Sequence, residues 1–143
     1  MRKLNALMFL FIGLFILPHS PAQETAEPGK VKLDPARCRN RYISVKDIYL
    51  HHRAGIPLPL SQAGYESSQY YTFGLRLSGL RCFLRRTLAN EDLLSEIKNG
   101  DRITVTGYVK QPVRTVKNRR GFRNRIDLDL YVLEVRDITP GWQ

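Results

Sequence analysis

Seven basic residues and no acid lie between Lys110 and Arg125: Lys110, Arg114, Lys117, Arg119, Arg120, Arg123 and Arg125. A guanidinium grips phosphate or carboxylate with two parallel hydrogen bonds, so a cluster of this kind suits a polyanion. Like charges at this density repel and cost stability unless an anion neutralises them. The alternative reading is a solvated charged segment that serves solubility alone. Asp127 and Asp129 follow on one strand face and are placed to balance part of the charge.

The remaining chemistry-bearing residues point away from catalysis. His51 and His52 are adjacent, so on a strand they face opposite ways and do not chelate one metal easily. The third histidine, His19, falls in the N-terminal leader. No metal or cofactor is expected. Ser61, Ser67 and Ser68 have no base in a nucleophile motif, and there is no phosphate-cradling glycine loop and no H-E-x-x-H pattern. The expectation is a protein that binds rather than catalyses. A small hydrolase with a site built across the loop from His51 to Gln69 is the weaker alternative.

The N-terminus sets the compartment. Arg2 and Lys3 precede an apolar run from Ala6 to Leu17, Pro18 ends it, and Ser20-Pro21-Ala22 supplies small residues before a cut after Ala22. Basic, apolar and small residues in that order read as a secretory signal peptide over residues 1–22. The apolar run is 12 residues long, short of the roughly 20 that span a bilayer as a helix. The reading is therefore an exported, periplasmic protein of bacterial type with no integral span after cleavage, and the alternative is an uncleaved anchor. In an oxidising compartment the only two cysteines, Cys38 and Cys82, are expected to pair. The bridge would close a loop of about 45 residues, worth roughly 4 kcal/mol in the chain-entropy picture. Two buried free thiols are the alternative.

The elements that must position these residues come next. The chain has 143 residues, 43% of them hydrophobic, and a formal charge of +10. That is one modest domain with enough apolar material for a core, not a disordered chain. Residues 23–40 are rich in Glu, Pro, Lys and Ala without apolar period and read as a flexible arm, leaving residues 41–139 as the domain. Arg41 to Leu50 reads as a strand, and His51 to Gln69 as a long loop. Tyr70 to Leu77 alternates, with Phe73, Leu75 and Leu77 on one face. Ser78-Gly79 is a turn and Leu80 to Arg86 a further strand. Asn90 caps a short helix with a Leu93, Leu94 and Ile97 stripe, stopped by Asn99-Gly100. Ile103, Val105 and Val109 share a strand face around Gly107. Ile126, Leu128, Leu130 and Val132 share a face of the last strand, while Leu133 and Val135 take the opposite parity, which predicts a bulge or burial on both sides.

The fold class is thus all-β with one short helix, a five-stranded barrel. Gly100-Asp101-Arg102-Ile103-Thr104-Val105-Thr106-Gly107-Tyr108-Val109 resembles the fourth-strand pattern of OB-fold domains. Leu130-Tyr131-Val132-Leu133-Glu134-Val135-Arg136-Asp137-Ile138 is similar to their closing strand. The stretch from Tyr42 to Ile138 resembles the anticodon-binding type of OB domain and small exported bacterial OB proteins. The resemblance implies that Lys110 to Arg125 is the hairpin between strands four and five, with Asn118-Arg119-Arg120-Gly121 at its tip. It also implies a ligand held by that hairpin, the first loop and the outer face of strands two and three. On that face Arg81, Phe83 and Arg85 would surround an exposed aromatic with charge, beside Tyr70 and Arg76, a combination suited to single strands. Phe83 packed under the long loop as a second small core is the alternative. The expected partner is a polyanion, either nucleic acid or an anionic envelope polymer. An envelope module binding a protein, the cell wall or lipid headgroups stands beside it.

Overall fold

The computed structural model describes residues 22–52 and 55–142. The leader therefore lies outside the described residues, apart from Ala22. Period-two alternation of β-branched and aromatic residues builds the strands. In chain order they are β1 (Glu24–Ala26), β2 (Tyr42–His51), β3 (Tyr70–Leu75), β4 (Arg81–Arg85), β5 (Arg102–Lys110), β6 (Val113–Lys117), β7 (Arg123–Asp127) and β8 (Val132–Pro140). Three short helices accompany them: α1 (Pro28–Leu33), α2 (Leu58–Gln62) and α3 (Leu88–Glu96).

Strands β2, β3, β4, β8 and β5 follow one another around a sheet, and β2 pairs with β5 to close it. The result is a closed five-stranded barrel with α3 between its third and fourth strands in sequence, an arrangement compatible with an OB-fold. Ile43, Val45, Phe73, Leu75, Cys82, Leu84, Ile103, Val105, Val109 and Leu133 fill its interior. Closure removes the free edges that make open sheets sticky. Gly107 is where β5 bends: a Cβ there would collide with the Glu134 carbonyl oxygen, and the β5–β8 register shifts between Thr106 and Gly107. The last strand is buried on both sides, with Val132 in an outer cluster and Leu133 and Val135 in the barrel core.

Asp47 holds the β3–β4 turn from beneath. It is wholly buried, and its carboxylate accepts the backbone N–H groups of Ile48 (2.7 Å), Leu77 (2.7 Å) and Ser78 (2.9 Å). Three charge-assisted hydrogen bonds offset the burial of the group. Gly79, at φ +72°, completes the expected turn in the left-handed region.

Four local readings are corrected. Residues 23–40 are not a bare arm: β1 adds in parallel to β2, α1 follows, and Val31 enters the core at 2% exposure. A six-residue helix that buries Val31 and leaves Leu33 exposed shows no periodicity to read. The helix cap is Thr87 rather than Asn90; the Thr87 hydroxyl accepts the Asn90 N–H at 3.1 Å, and the Asn90 amide donates to the Arg85 carbonyl at 2.8 Å. Ile126 and Leu128 do not belong to the closing strand: Ile126 sits in β7, Leu128 follows it, and β8 begins only at Val132.

The expected disulfide is the fourth correction, since Cys38 and Cys82 are free thiols. Cys82 points into the core from β4, opposite Phe73 and beside Leu133. Cys38 ends a 3-10 turn, Pro35–Cys38, whose next residue bridges Val109 on β5. Cys82 lies inside the barrel on β4 and Cys38 at the end of that 3-10 turn, and the two are not paired. Burial raises both above the ordinary thiol pKa, with Glu24 adding to the effect at Cys38 and Asp47 at Cys82. Neither is a poised thiolate.

Candidate functional site

Strands β6 and β7 pair only with each other and form a two-stranded ribbon outside the barrel sheet. The tip is set by Asn118, whose side-chain carbonyl accepts the N–H groups of Arg120 (3.0 Å) and Phe122 (2.9 Å), with Gly121 at φ +84°. This is the tip read from Asn118-Arg119-Arg120-Gly121. Asn accepts hydrogen bonds from backbone two residues on, and Gly supplies the left-handed step.

Register sorts the ribbon into two faces, because directly paired residues share a side. Lys117 pairs with Arg123 and Thr115 with Arg125, so three cations lie on one face. Arg119 and Arg120 extend them around the tip. The other face carries Arg114 paired with Ile126, and Val116 paired with Asn124. All five of Lys117, Arg119, Arg120, Arg123 and Arg125 are exposed. Arg114 is half-buried at the root, and its buried Nε has no hydrogen-bond partner. Lys110 ends β5, with its Nζ 5.4 Å from the Tyr108 ring centre. Among the described residues the salt bridges are Lys30–Glu27 and Arg41–Glu24. None involves the seven basic residues, and neither Asp127 nor Asp129 pairs with them.

The face of β3 and β4 that was expected to carry ligand is covered. Phe83 is 1% exposed, so it is no open stacking platform. Tyr65 stacks on it at 4.3 Å between ring centres, Tyr70 meets it edge-on at 6.0 Å, and Leu60, Leu128 and Val132 complete a second core. The Tyr65 hydroxyl donates to Glu134 at 2.8 Å. Burial, then that hydrogen bond, raises the Tyr65 pKa well above the ordinary tyrosine range. The cover is α2 and the turn after it. In the sequence this stretch reads as loop because its apolar residues, Ile56, Leu58, Leu60 and Tyr65, keep no sustained period.

Three arginines named with that face end up dispersed. Arg76 is exposed in the β3–β4 turn. Arg85 is exposed with its guanidinium 4.7 Å from the Tyr70 ring centre. Arg81 is half-buried, with a buried Nη1 that has no acceptor. The His52 ring lies against Gly74, across from Arg81, and burial followed by the Arg81 charge lowers its pKa. His51 is exposed, and among the described residues no group of three metal-ligating side chains forms. Ser67, Ser95, His51, His52 and Glu91 are among the residues that line a groove of about 360 Å³. Among the described residues no hydrogen bond joins either serine hydroxyl to an imidazole there. No described helix is long and apolar enough to cross a membrane.

No protein-family model matches the chain, and no curated protein does. The functional reading therefore rests on the geometry of the ribbon and the barrel.

Proposed function

We propose that this chain is an exported, non-enzymatic OB-fold module that contacts an anionic ligand through the β6–β7 ribbon. The observation that carries the reading is a set of exposed cations on one projecting element, with no acid from Lys110 to Arg125 and, among the described residues, no ion pair made by any of these cations. A projecting ribbon of this kind brings several guanidinium groups to one polyanion at once. With Phe83 covered, base stacking on β4 drops out of the reading. Recognition then rests on charge, and single-stranded nucleic acid competes on equal terms with other polyanions.

The test is fluorescence anisotropy with a labelled oligonucleotide and a labelled sulfated polysaccharide across a salt series. Affinity for both should fall steeply with salt. For a single strand the slope of log K against log salt is about −0.7 per phosphate contacted, so four contacts give roughly −3. Replacing Arg119, Arg120 and Arg123 with Ala should weaken binding and flatten the slope. Absence of binding at low salt, or equal binding by the triple variant, leaves the ribbon a solvated surface.

A further inference from the structure

The ribbon exposes more than charge. Phe122 at its tip is 66% exposed, Ile126 41% and Val116 38%. Phe122 follows the parity of Asn124 and Ile126, and its carbonyl accepts the Asn118 N–H at 2.9 Å. These three side chains therefore share the face opposite Lys117, Arg123 and Arg125. Toward its tip the ribbon is amphipathic, with Lys117, Arg123 and Arg125 on one side and Phe122, Val116 and Ile126 on the other, where the one cation, Arg114, is half-buried at the root.

A dissolved polyelectrolyte uses the charge and leaves the apolar side in water. An anionic bilayer uses both, because the headgroup layer offers phosphates above and acyl chains below. We propose that the ribbon tip docks on an anionic lipid surface, with Phe122 entering the headgroup layer and Arg119, Arg120, Lys117 and Arg123 meeting lipid phosphates. The proposal rests on the polyanion reading above and names the polyanion. Opposed faces do not prevent this. A two-stranded ribbon is about 5 Å between strand axes, and Arg and Lys carry their charge on stems long enough to reach round it. Near an anionic surface each such residue contributes about fivefold in partitioning. An isolated two-stranded hairpin is marginal in water, so docking would also steady the ribbon.

The experiment uses the chain from Gln23 onward, which holds every element of the barrel and lacks the apolar leader. Co-sedimentation is measured with vesicles of phosphatidylcholine alone and with one part in three phosphatidylglycerol, beside binding to the sulfated polysaccharide and to the oligonucleotide. The chain should bind the anionic vesicles and not the neutral ones. Phe122→Ser should lower vesicle partitioning by about tenfold or more, with polysaccharide and oligonucleotide affinities within twofold of the parent. The Arg119, Arg120 and Arg123 triple variant should lose at least tenfold on all three. An unchanged melting temperature of Phe122→Ser assigns its effect to the contact rather than to folding. Polysaccharide binding without vesicle binding, or full vesicle binding by Phe122→Ser, overturns the bilayer proposal and leaves the polyanion reading standing. An equal loss on the oligonucleotide assigns Phe122 to base stacking and also overturns it. No binding to any of the three removes the polyanion reading itself.

Discussion

The barrel and the ribbon are built from the same kind of alternating strand, yet they differ in what the alternation faces. Strand β5 has partners on both sides, β2 and β8, and every apolar side chain it sends inward is wholly buried. Strand β7 has one partner, and all five of its residues are exposed. Alternation in the barrel is thus a folding instruction, because one face must leave water. In the ribbon, beyond its root at Val113 and Arg114, it sets Lys117, Arg123 and Arg125 on one face and Val116 and Ile126 on the other without burying either set. The barrel residues hold one another, whereas the β7 residues stay in water.

The largest expected effect lies on the barrel's covered face. Phe83→Ala removes the ring against which Tyr65 and Tyr70 pack, and should cost about 3–5 kcal/mol by chemical denaturation. A loss below 1 kcal/mol would mean that the cover contributes little and that the face is open in solution. Gly107→Ala comes next. Its Cβ collides with backbone of β8 rather than with a movable side chain, so about 3 kcal/mol is expected. An unchanged melting temperature would contradict the tight β5–β8 crossing.

Tyr65→Phe should cost about 1 kcal/mol at neutral pH through the hydrogen bond to Glu134. The pH dependence is more telling. An unfolded tyrosine loses its proton near pH 10, whereas folded Tyr65 keeps it to higher pH. A raised folded pKa means stability that is full below pH 10 and declines as pH rises past it. Tyr49 and Cys82 are shifted in the same direction, so the parent should lose stability steeply in alkali. Tyr65→Phe should lose it less steeply, and parallel melting curves above pH 10 would contradict that assignment. The smallest effect belongs to the ribbon: Arg119→Ala, Arg120→Ala and Arg123→Ala together should leave stability within about 0.5 kcal/mol, as for exposed sites elsewhere.

The barrel was legible because Phe73, Leu75, Ile103, Val105 and Val109 repeat at the spacing a strand demands, and all of them are buried. Gly107 could be read as special because a mid-strand glycine has few other uses. The cover over Phe83 was legible only as the alternative of a second small core under the long loop, since Leu60 and Tyr65 reach it from a short helix and a turn with no shared period. The pairing of β1 with β2 is three residues of parallel contact, too little to leave a pattern. The closing strand was misjudged at its start because Ile126, Leu128, Leu130 and Val132 alternate without interruption, and no Gly or Pro marks the change from ribbon to barrel. The state of Cys38 and Cys82 is not legible in the sequence, because spacing along a chain does not give distance in the fold. For the candidate site, the seven cations and the tip were visible in the sequence. The apolar face was not, because it depends on the β6–β7 register.

The central claim is that the ribbon carries the binding function and the barrel only carries the ribbon. Val113 and Asp127 are directly paired, so residues 114–126 can be replaced by Asn-Gly, the turn that suits a two-residue hairpin. The measurement is the salt-dependent affinity of this shortened chain for the sulfated polysaccharide, made on protein that still unfolds cooperatively. The account predicts a folded barrel whose affinity has fallen at least tenfold and whose salt slope is nearly flat. A folded, shortened chain that binds with the parent's affinity and slope would contradict it.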